Sequence, residues 1–250
     1  CTITNSNITK VPATTDSITI SSTTAIQNCN INTTSVTVGN RWCSVVYTDL
    51  GIFSGNTFVG SPTSGHAIRI SSAGTVASFS GNTFTTYGPN ARSFLTSSAG
   101  INDATDVITL DATHGYSNGN PAYYQKQGGT QAIGLTDGNL YYVRSESSTT
   151  ITLYDTAANA IAGGATGRQN LTAAGAETHY IYSAAAAIFN DSVGAVTINV
   201  SNGGSVPSIR NSNGSSTTVN NSVNITITVK DANNNPINLA QTAIYKTSDS

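Results

Sequence analysis

The six residues Phe53-Ser54-Gly55-Asn56-Thr57-Phe58 return unchanged as Phe79–Phe84, 26 positions later (79 − 53). A ligand motif used twice is one reading of such a pair. The other is a structural unit that recurs because its copies stack. The flanking sequence favours stacking. SITISS, TSVTVG, DVITL, TTITLY, AVTINV and NITITV alternate β-branched and polar residues between Gly, Asn or Ser, which is the period-2 pattern of strands. The Ala-rich stretches Thr156–Ala162 and Ala184–Ala187 are too short to stand alone as helices. The chain reads as all-β.

A second alignment extends the repeat. CTITNSNIT (Cys1–Thr9) laid on CNINTTSVT (Cys29–Thr37), 28 residues on, pairs Cys1 with Cys29, Ile3 with Ile31, Ile8 with Val36 and Thr9 with Thr37. The same step carries Asn28 to Asn56, and 26 more residues reach Asn82. A period in the twenties with strands and no helices marks a parallel β-solenoid. Its coils lie about 4.8 Å apart, so each face recurs at every turn. Asn28, Asn56 and Asn82 are then expected to form an amide ladder, and Phe53/Phe79 and Phe58/Phe84 to pile ring on ring. On this reading FSGNTF is an interior rung, not a ligand site.

The regularity breaks after Tyr87-Gly88-Pro89. Eight of the eleven tyrosines fall between 93 and 182, among Gly-rich turns such as YQKQGGTQ and TDGNL, which suggests a small antiparallel barrel or sandwich. Solenoid character resumes with AAIFNDSVGAVTINV. The expected architecture is a right-handed parallel β-helix in two parts, 1–92 and 183–229, interrupted by a β domain over 93–182. The tail, 230–250, reads as the first hairpin of an immunoglobulin-like domain or as a linker. The lack of any Met, even at residue 1, predicts that the chain is a piece of something longer.

Composition narrows the function classes. Only 9% of residues are charged, against roughly 25% in an ordinary domain, so the surface must be polar but uncharged. That is usual for exported β-structure and virion proteins. Six Arg and four Lys are scattered without a run, and the net charge is −2, which gives no electrostatic case for nucleic acid. No apolar stretch approaches the roughly 18 residues of a membrane span. Cys1, Cys29 and Cys43 lack metal-ligand spacing. A Cys29–Cys43 disulfide and buried free thiols are both open, with free thiols preferred.

β-Helices also carry glycan-cleaving sites, which need convergent carboxylates. Here Asp16, Asp49 and Asp191 fall in no common register. Asp103, Asp106 and Asp111 read as turn and strand-end residues, as do Asp137 and Asp231. His66, His114 and His179 lack metal-ligand spacing. No cofactor or metal is expected. The adjacent pairs Tyr123-Tyr124 and Tyr141-Tyr142 each place one ring on either face of a strand, so they form the candidate recognition surface. Arg69 and Arg210 read as outward charges on solenoid faces or as anchors for a neighbouring subunit.

Two stretches carry a resemblance. GHAIRI, FSGNTFTTYG and AAIFNDSVGAVTINVSNGGSVPSIRNSNGSSTTVNNSVNITITVKDANNNPI together resemble β-helical structural proteins of tailed, notably marine, bacteriophages. DVITLDATHGYSNGN with IGLTDGNLYYVRSESSTTITLYDTAANAIAGG is similar to a small β-module of bacterial surface and phage proteins. The resemblance implies a non-catalytic virion component, decorating the capsid or forming a fibre-like projection, and no catalytic residue comes with it. Expected partners are the major capsid protein or further copies of the chain, as a trimer or lattice. A host-surface glycan is a further candidate, and neither nucleic acid nor membrane is expected. A secreted bacterial adhesin fragment is the alternative, and a polysaccharide-degrading β-helix the third.

Overall fold

The computed structural model describes residues 1–9, 18–20, 24–45, 53–222 and 228–237. Its strands wind through three parallel sheets in turn. The first coil contributes β1 (Thr2–Thr4), β2 (Asn7–Thr9) and β3 (Ile18–Ile20), and the second β4 (Ala25–Gln27), β5 (Asn30–Asn32) and β6 (Arg41–Val45). The third adds β7 (Phe53–Ser54), β8 (Thr57–Val59) and β9 (His66–Ile70). The fourth begins with β10 (Val76–Ser80) and β11 (Thr83–Thr85) and then leaves the column.

The departing chain makes a separate sheet of seven strands. These are β12 (Arg92–Leu95), β13 (Ile101–Asn102), β14 (Val107–Thr109), β15 (Asn120–Gln125), β16 (Leu140–Ser145), β17 (Thr150–Tyr154) and β18 (Thr178–Ser183). A six-residue helix, α1 (Ala157–Ala162), follows β17; Thr156 caps its N-terminus. The column then resumes with β19 (Ile188–Asn190), β20 (Ala195–Ser201), β21 (Ile209–Asn211) and β22 (Ser216–Asn221).

The strand orders prove the winding. The first sheet runs β1-β4-β7-β10-β20-β22, the second β2-β5-β8-β11, and the third β3-β6-β9-β19-β21. Every pairing within them is parallel. β19 therefore lies on β9, and β20 on β10, across more than a hundred residues of intervening chain. The first and third sheets thus continue past the excursion, while the second ends at β11.

Inside, like sits on like. Ile3, Ile26, Phe53, Phe79 and Val200 form one file; Ile8, Ile31, Phe58 and Phe84 form a second; Ile18, Cys43, Ile68, Ile188 and Ile209 form a third. Phe58 and Phe84 are stacked at 4.9 Å and 8°, whereas Phe53 meets Phe79 edge-on at 5.6 Å and 90°. A fully buried side chain of this size contributes about 1.5–3 kcal/mol, so each rung is held chiefly by its three inward residues. Cys29 and Cys43 are both buried, and neither is in a disulfide.

The register corrects the sequence alignment at its first step. Ile3 lies beneath Ile26, not Ile31, and Ile31 covers Ile8 on the next sheet. The 28-residue step had slipped by one whole strand, because connections of unequal length separate short strands of nearly identical pattern. Between the second and third coils the true step is 27, pairing Gln27 with Ser54. Asn28 thus falls over Gly55, and Cys29 takes the position above Asn56.

That one-residue difference has a backbone cause. Asn5, Asn28, Gly55, Gly81 and Asn202 follow paired residues on successive coils of the first sheet, and all five have positive φ, between 50° and 67°. The first four make the corner between the first and second sheets; Asn202 follows β20 on a coil whose described residues hold no second-sheet strand. Left-handed backbone costs most L residues about 1–2 kcal/mol, and Gly and Asn are the usual occupants. Asn28→Val is accordingly expected to destabilise by about 1–2 kcal/mol in denaturant unfolding, with Asn28→Gly close to wild type. Equal costs for the two would contradict a left-handed corner.

The seven-stranded sheet is antiparallel, in the order β12-β18-β15-β16-β17-β14-β13. It spans one residue more at each end than 93–182. Its ends curl toward one another: the Asp111 N–H, just past β14, donates to the Ser93 carbonyl on β12 at 2.9 Å. Phe94, Tyr124, Val143, Ile151, Leu153 and Ile181 belong to its own buried cluster, separate from that of the column. Near the C-terminus the described residues contain one bridge, Lys230 to Pro236, around a turn. The Asp231 carboxylate accepts the N–H groups of Asn233 and Asn235 there. Most of the expected immunoglobulin-like hairpin lies outside the described residues.

Candidate functional site

The ladder residues are placed by the corner just described. After Asn28, Gly55 and Gly81 the next side chain, Cys29, Asn56 or Asn82, is buried. Asn56 and Asn82 are buried there, with Asn56 Nδ2 donating to Asn82 Oδ1 at 2.9 Å. Asn56 Nδ2 also donates to the Ile26 carbonyl at 2.8 Å, and Asn82 Nδ2 to that of Phe53 at 2.9 Å. Each Asn Oδ1 accepts a main-chain N–H from the coil below in sequence, Cys29 for Asn56 and Asn56 for Asn82. Asn28 is not part of this ladder. These amides satisfy polar backbone that the corner would leave orphaned, which is a structural duty.

The tyrosines divide by strand alternation. Tyr124 and Tyr141 are buried in the core of the antiparallel sheet. Tyr123 and Tyr142, on the other face, are partly exposed. Tyr123 is not an open recognition surface, because the Arg210 guanidinium of β21 lies 3.4 Å from its ring centroid. The same guanidinium is 4.2 Å from the Phe189 ring centroid. Arg210 is only 8% exposed. Sequence reading made it an outward charge or an anchor for another subunit; it anchors this chain's own side sheet.

Behind Arg210 lies His66, fully buried and stacked on Phe189 at 5.1 Å. The Ala186 carbonyl, 2.7 Å from His66 Nδ1, can only accept, so Nδ1 carries the proton. The lone pair of Nε2 then accepts from Arg210 Nη1 at 3.3 Å. Burial, and after it the charge of Arg210, lowers the His66 pKa from 6.5 to about 3. Burial likewise lowers the Arg210 pKa, to about 10, against the opposing pull of Tyr123.

A stability prediction follows from His66. The unfolded chain takes up a proton near pH 6.5 and the folded chain only near pH 3. Between those values the unfolded state holds more protons, so its population grows as pH falls. Stability is complete above pH 6.5 and is expected to decline toward pH 3 by about 1.4 kcal/mol per pH unit from this group. Melting of wild type and His66→Gln across that range checks it; an unchanged slope in the variant contradicts the assignment.

The remaining titratable groups hold turns. His179, buried beneath the antiparallel sheet, accepts from the Tyr124 hydroxyl at Nδ1 (2.7 Å) and donates from Nε2 to Glu177 (3.2 Å). Burial is the main cause of its lowered pKa. Glu177 also accepts the N–H groups of Gln131 and Thr130, and these hydrogen bonds, Gln131 foremost, hold its pKa down at about 2. Asp106 pairs with Arg168 at 3.1 Å and accepts the Leu171 N–H; Asp103 accepts that of Ala173. Asp191 is salt-bridged to Arg69 at 2.5 Å. Asp16 and Asp49 lie outside the described residues.

Among the described residues no group of three or more His, Cys, Asp or Glu side chains is arranged to hold a metal ion, and no helix is long and apolar enough to cross a membrane.

Sequence reading missed the junction between column and side sheet. Beyond Arg210 and Tyr123, Gln127 Nε2 reaches the Ser212 carbonyl at 3.3 Å, and Asn213 donates to Asp137. The available signal was Arg210 itself, one of three arginines, with Arg41 and Arg69, at strand positions of the solenoid.

Comparison with protein-family models, with curated proteins and with solved structures finds no match to this chain.

Proposed function

We propose that the chain is a non-catalytic structural protein of a tailed-phage particle, decorating the capsid or projecting from it as part of a fibre. The observation that carries this reading is the column itself. It is a parallel stack whose first and third sheets continue past a laterally docked sheet. Main-chain ladders and stacked apolar files resist unfolding along the axis, while the side sheet is held outward on one face. A chain with only 9% charged residues suits burial against identical neighbours or a capsid lattice.

In this reading the column is right-handed and 93–182 is a discrete small β-barrel domain borne by it. The tail opens an immunoglobulin-like domain. Neighbouring copies, as a trimer or lattice, and the major capsid protein are the partners, at the particle surface. The test is density for the intact particle. Repeated copies of this chain in contact with other virion proteins are expected. A monomer touching no other particle component, or absence from purified particles, overturns the proposal.

A further inference from the structure

The docked side sheet leaves a crevice of about 240 Å³ where β18 faces β21 and β22 of the column. Its wall carries Tyr180 and Tyr182, whose rings stack at 5.9 Å and 25° as a double aromatic plate. Asn90, Asp111, Asn211 and Thr217 face the same space. Most of these polar groups are pinned by only part of their bonding capacity. Asp111 Oδ2 accepts from Ser93 at 2.9 Å, which leaves Oδ1 able to accept a further hydrogen bond. Asn211 Oδ1 accepts from Thr217 at 2.6 Å, and the Tyr182 hydroxyl accepts from Gln127 at 3.2 Å. Asn90 is exposed, and its amide makes no hydrogen bond to the described residues.

We propose that this crevice binds one neutral pyranose unit of a glycan. Three features select that class. The Tyr180 ring is partly exposed and offers a flat apolar face to the C–H side of a sugar ring. An open carboxylate oxygen and a free amide supply paired acceptors and donors suited to neighbouring hydroxyls. Asp111 is the single formal charge on the wall and is negative, so uronic or sialic acid units are disfavoured. The volume lies below the roughly 300–1,000 Å³ of a drug-sized pocket, which fits one ring better than a long chain. Groups already held in place lose little freedom on binding. The inference does not rest on the particle assignment, since an exported chain of any kind would carry the same crevice.

The test uses the whole chain and saturation-transfer NMR with the methyl glycosides of glucose, galactose, mannose and N-acetylglucosamine. At least one is expected to take up saturation on its ring protons, with a Kd on the order of 1 mM. Tyr180→Ala and Asp111→Ala should each weaken it at least about tenfold, a loss of about 1.4 kcal/mol. Ile161→Ala, an exposed residue of α1 outside the crevice, should leave it unchanged. Tyr180 packs on Tyr182, so if that variant unfolds, the exposed Asp111→Ala and Asn90→Ala variants decide. Methyl glucuronide should bind at least about tenfold more weakly than methyl glucoside. No saturation with any neutral glycoside, or undiminished binding in Asp111→Ala and Asn90→Ala, overturns the site. Equal or tighter binding of the glucuronide overturns the neutral class.

Discussion

Asn56→Ala is expected to cost at least about 3 kcal/mol of stability. The side chain is fully buried and serves two coils at once. Its Oδ1 accepts the Cys29 N–H at 3.0 Å, and its Nδ2 donates to the Ile26 carbonyl at 2.8 Å and to Asn82 at 2.9 Å. Alanine leaves the N–H of Cys29 and the carbonyl of Ile26 without partners in a place water does not reach. Each orphan costs about 1–3 kcal/mol, and the lost amide–amide bond adds about 1 kcal/mol. Asn28→Ala removes only a favourable left-handed residue, with an expected cost of about 1–2 kcal/mol. Denaturant unfolding of the two variants separates the positions. Equal losses would put Asn28 back on the ladder and contradict the register.

Arg210→Ala carries the second large effect, roughly 3 kcal/mol. Its guanidinium lies over two rings, those of Tyr123 and Phe189, in a desolvated place, where a cation–π contact is worth about 2 kcal/mol. Truncation also opens a cavity and leaves His66 Nε2 without its donor. Arg210→Lys should not rescue, because an ammonium cannot stack on aromatic rings as a planar guanidinium does. The loss should be local to the dock. Amide exchange is expected to rise in β15 and β18, while β4, β5, β7 and β8 keep their protection. A Lys variant as stable as wild type would contradict these contacts.

Much of the column was legible because stacking demands repetition. FSGNTF recurs since Gly55 and Gly81 both occupy left-handed corners and Asn56 and Asn82 both turn inward beyond them. Unequal connections were the weak point. Nothing in Cys1–Thr9 distinguishes β1 from β2, so an alignment at 28 residues matched Ile3 to the wrong strand. Asn28 deceived for a related reason, since Asn suits both the left-handed corner and the inward rung. Tyrosine alternation was readable, but which face met water was not. That depended on Arg210, 87 residues beyond Tyr123 (210 − 123), and such pairings leave no local trace. The crevice at Tyr180 arises from the same docking and was equally hidden.

The continuity of the column across the side sheet is tested most directly by a designed disulfide. Ser80 pairs with Ser201 across parallel strands 121 residues apart (201 − 80). Adjacent strands lie about 4.8 Å apart, within the roughly 4.4–6.8 Å that a disulfide spans between Cα atoms. With Cys1 replaced, Ser80→Cys/Ser201→Cys is predicted to oxidise to an intramolecular bond in the folded chain. Ser80→Cys/Thr197→Cys, displaced about 13 Å along the partner strand, is predicted to remain reduced. A reduced first pair, or a bond in the second, would contradict the continuous column.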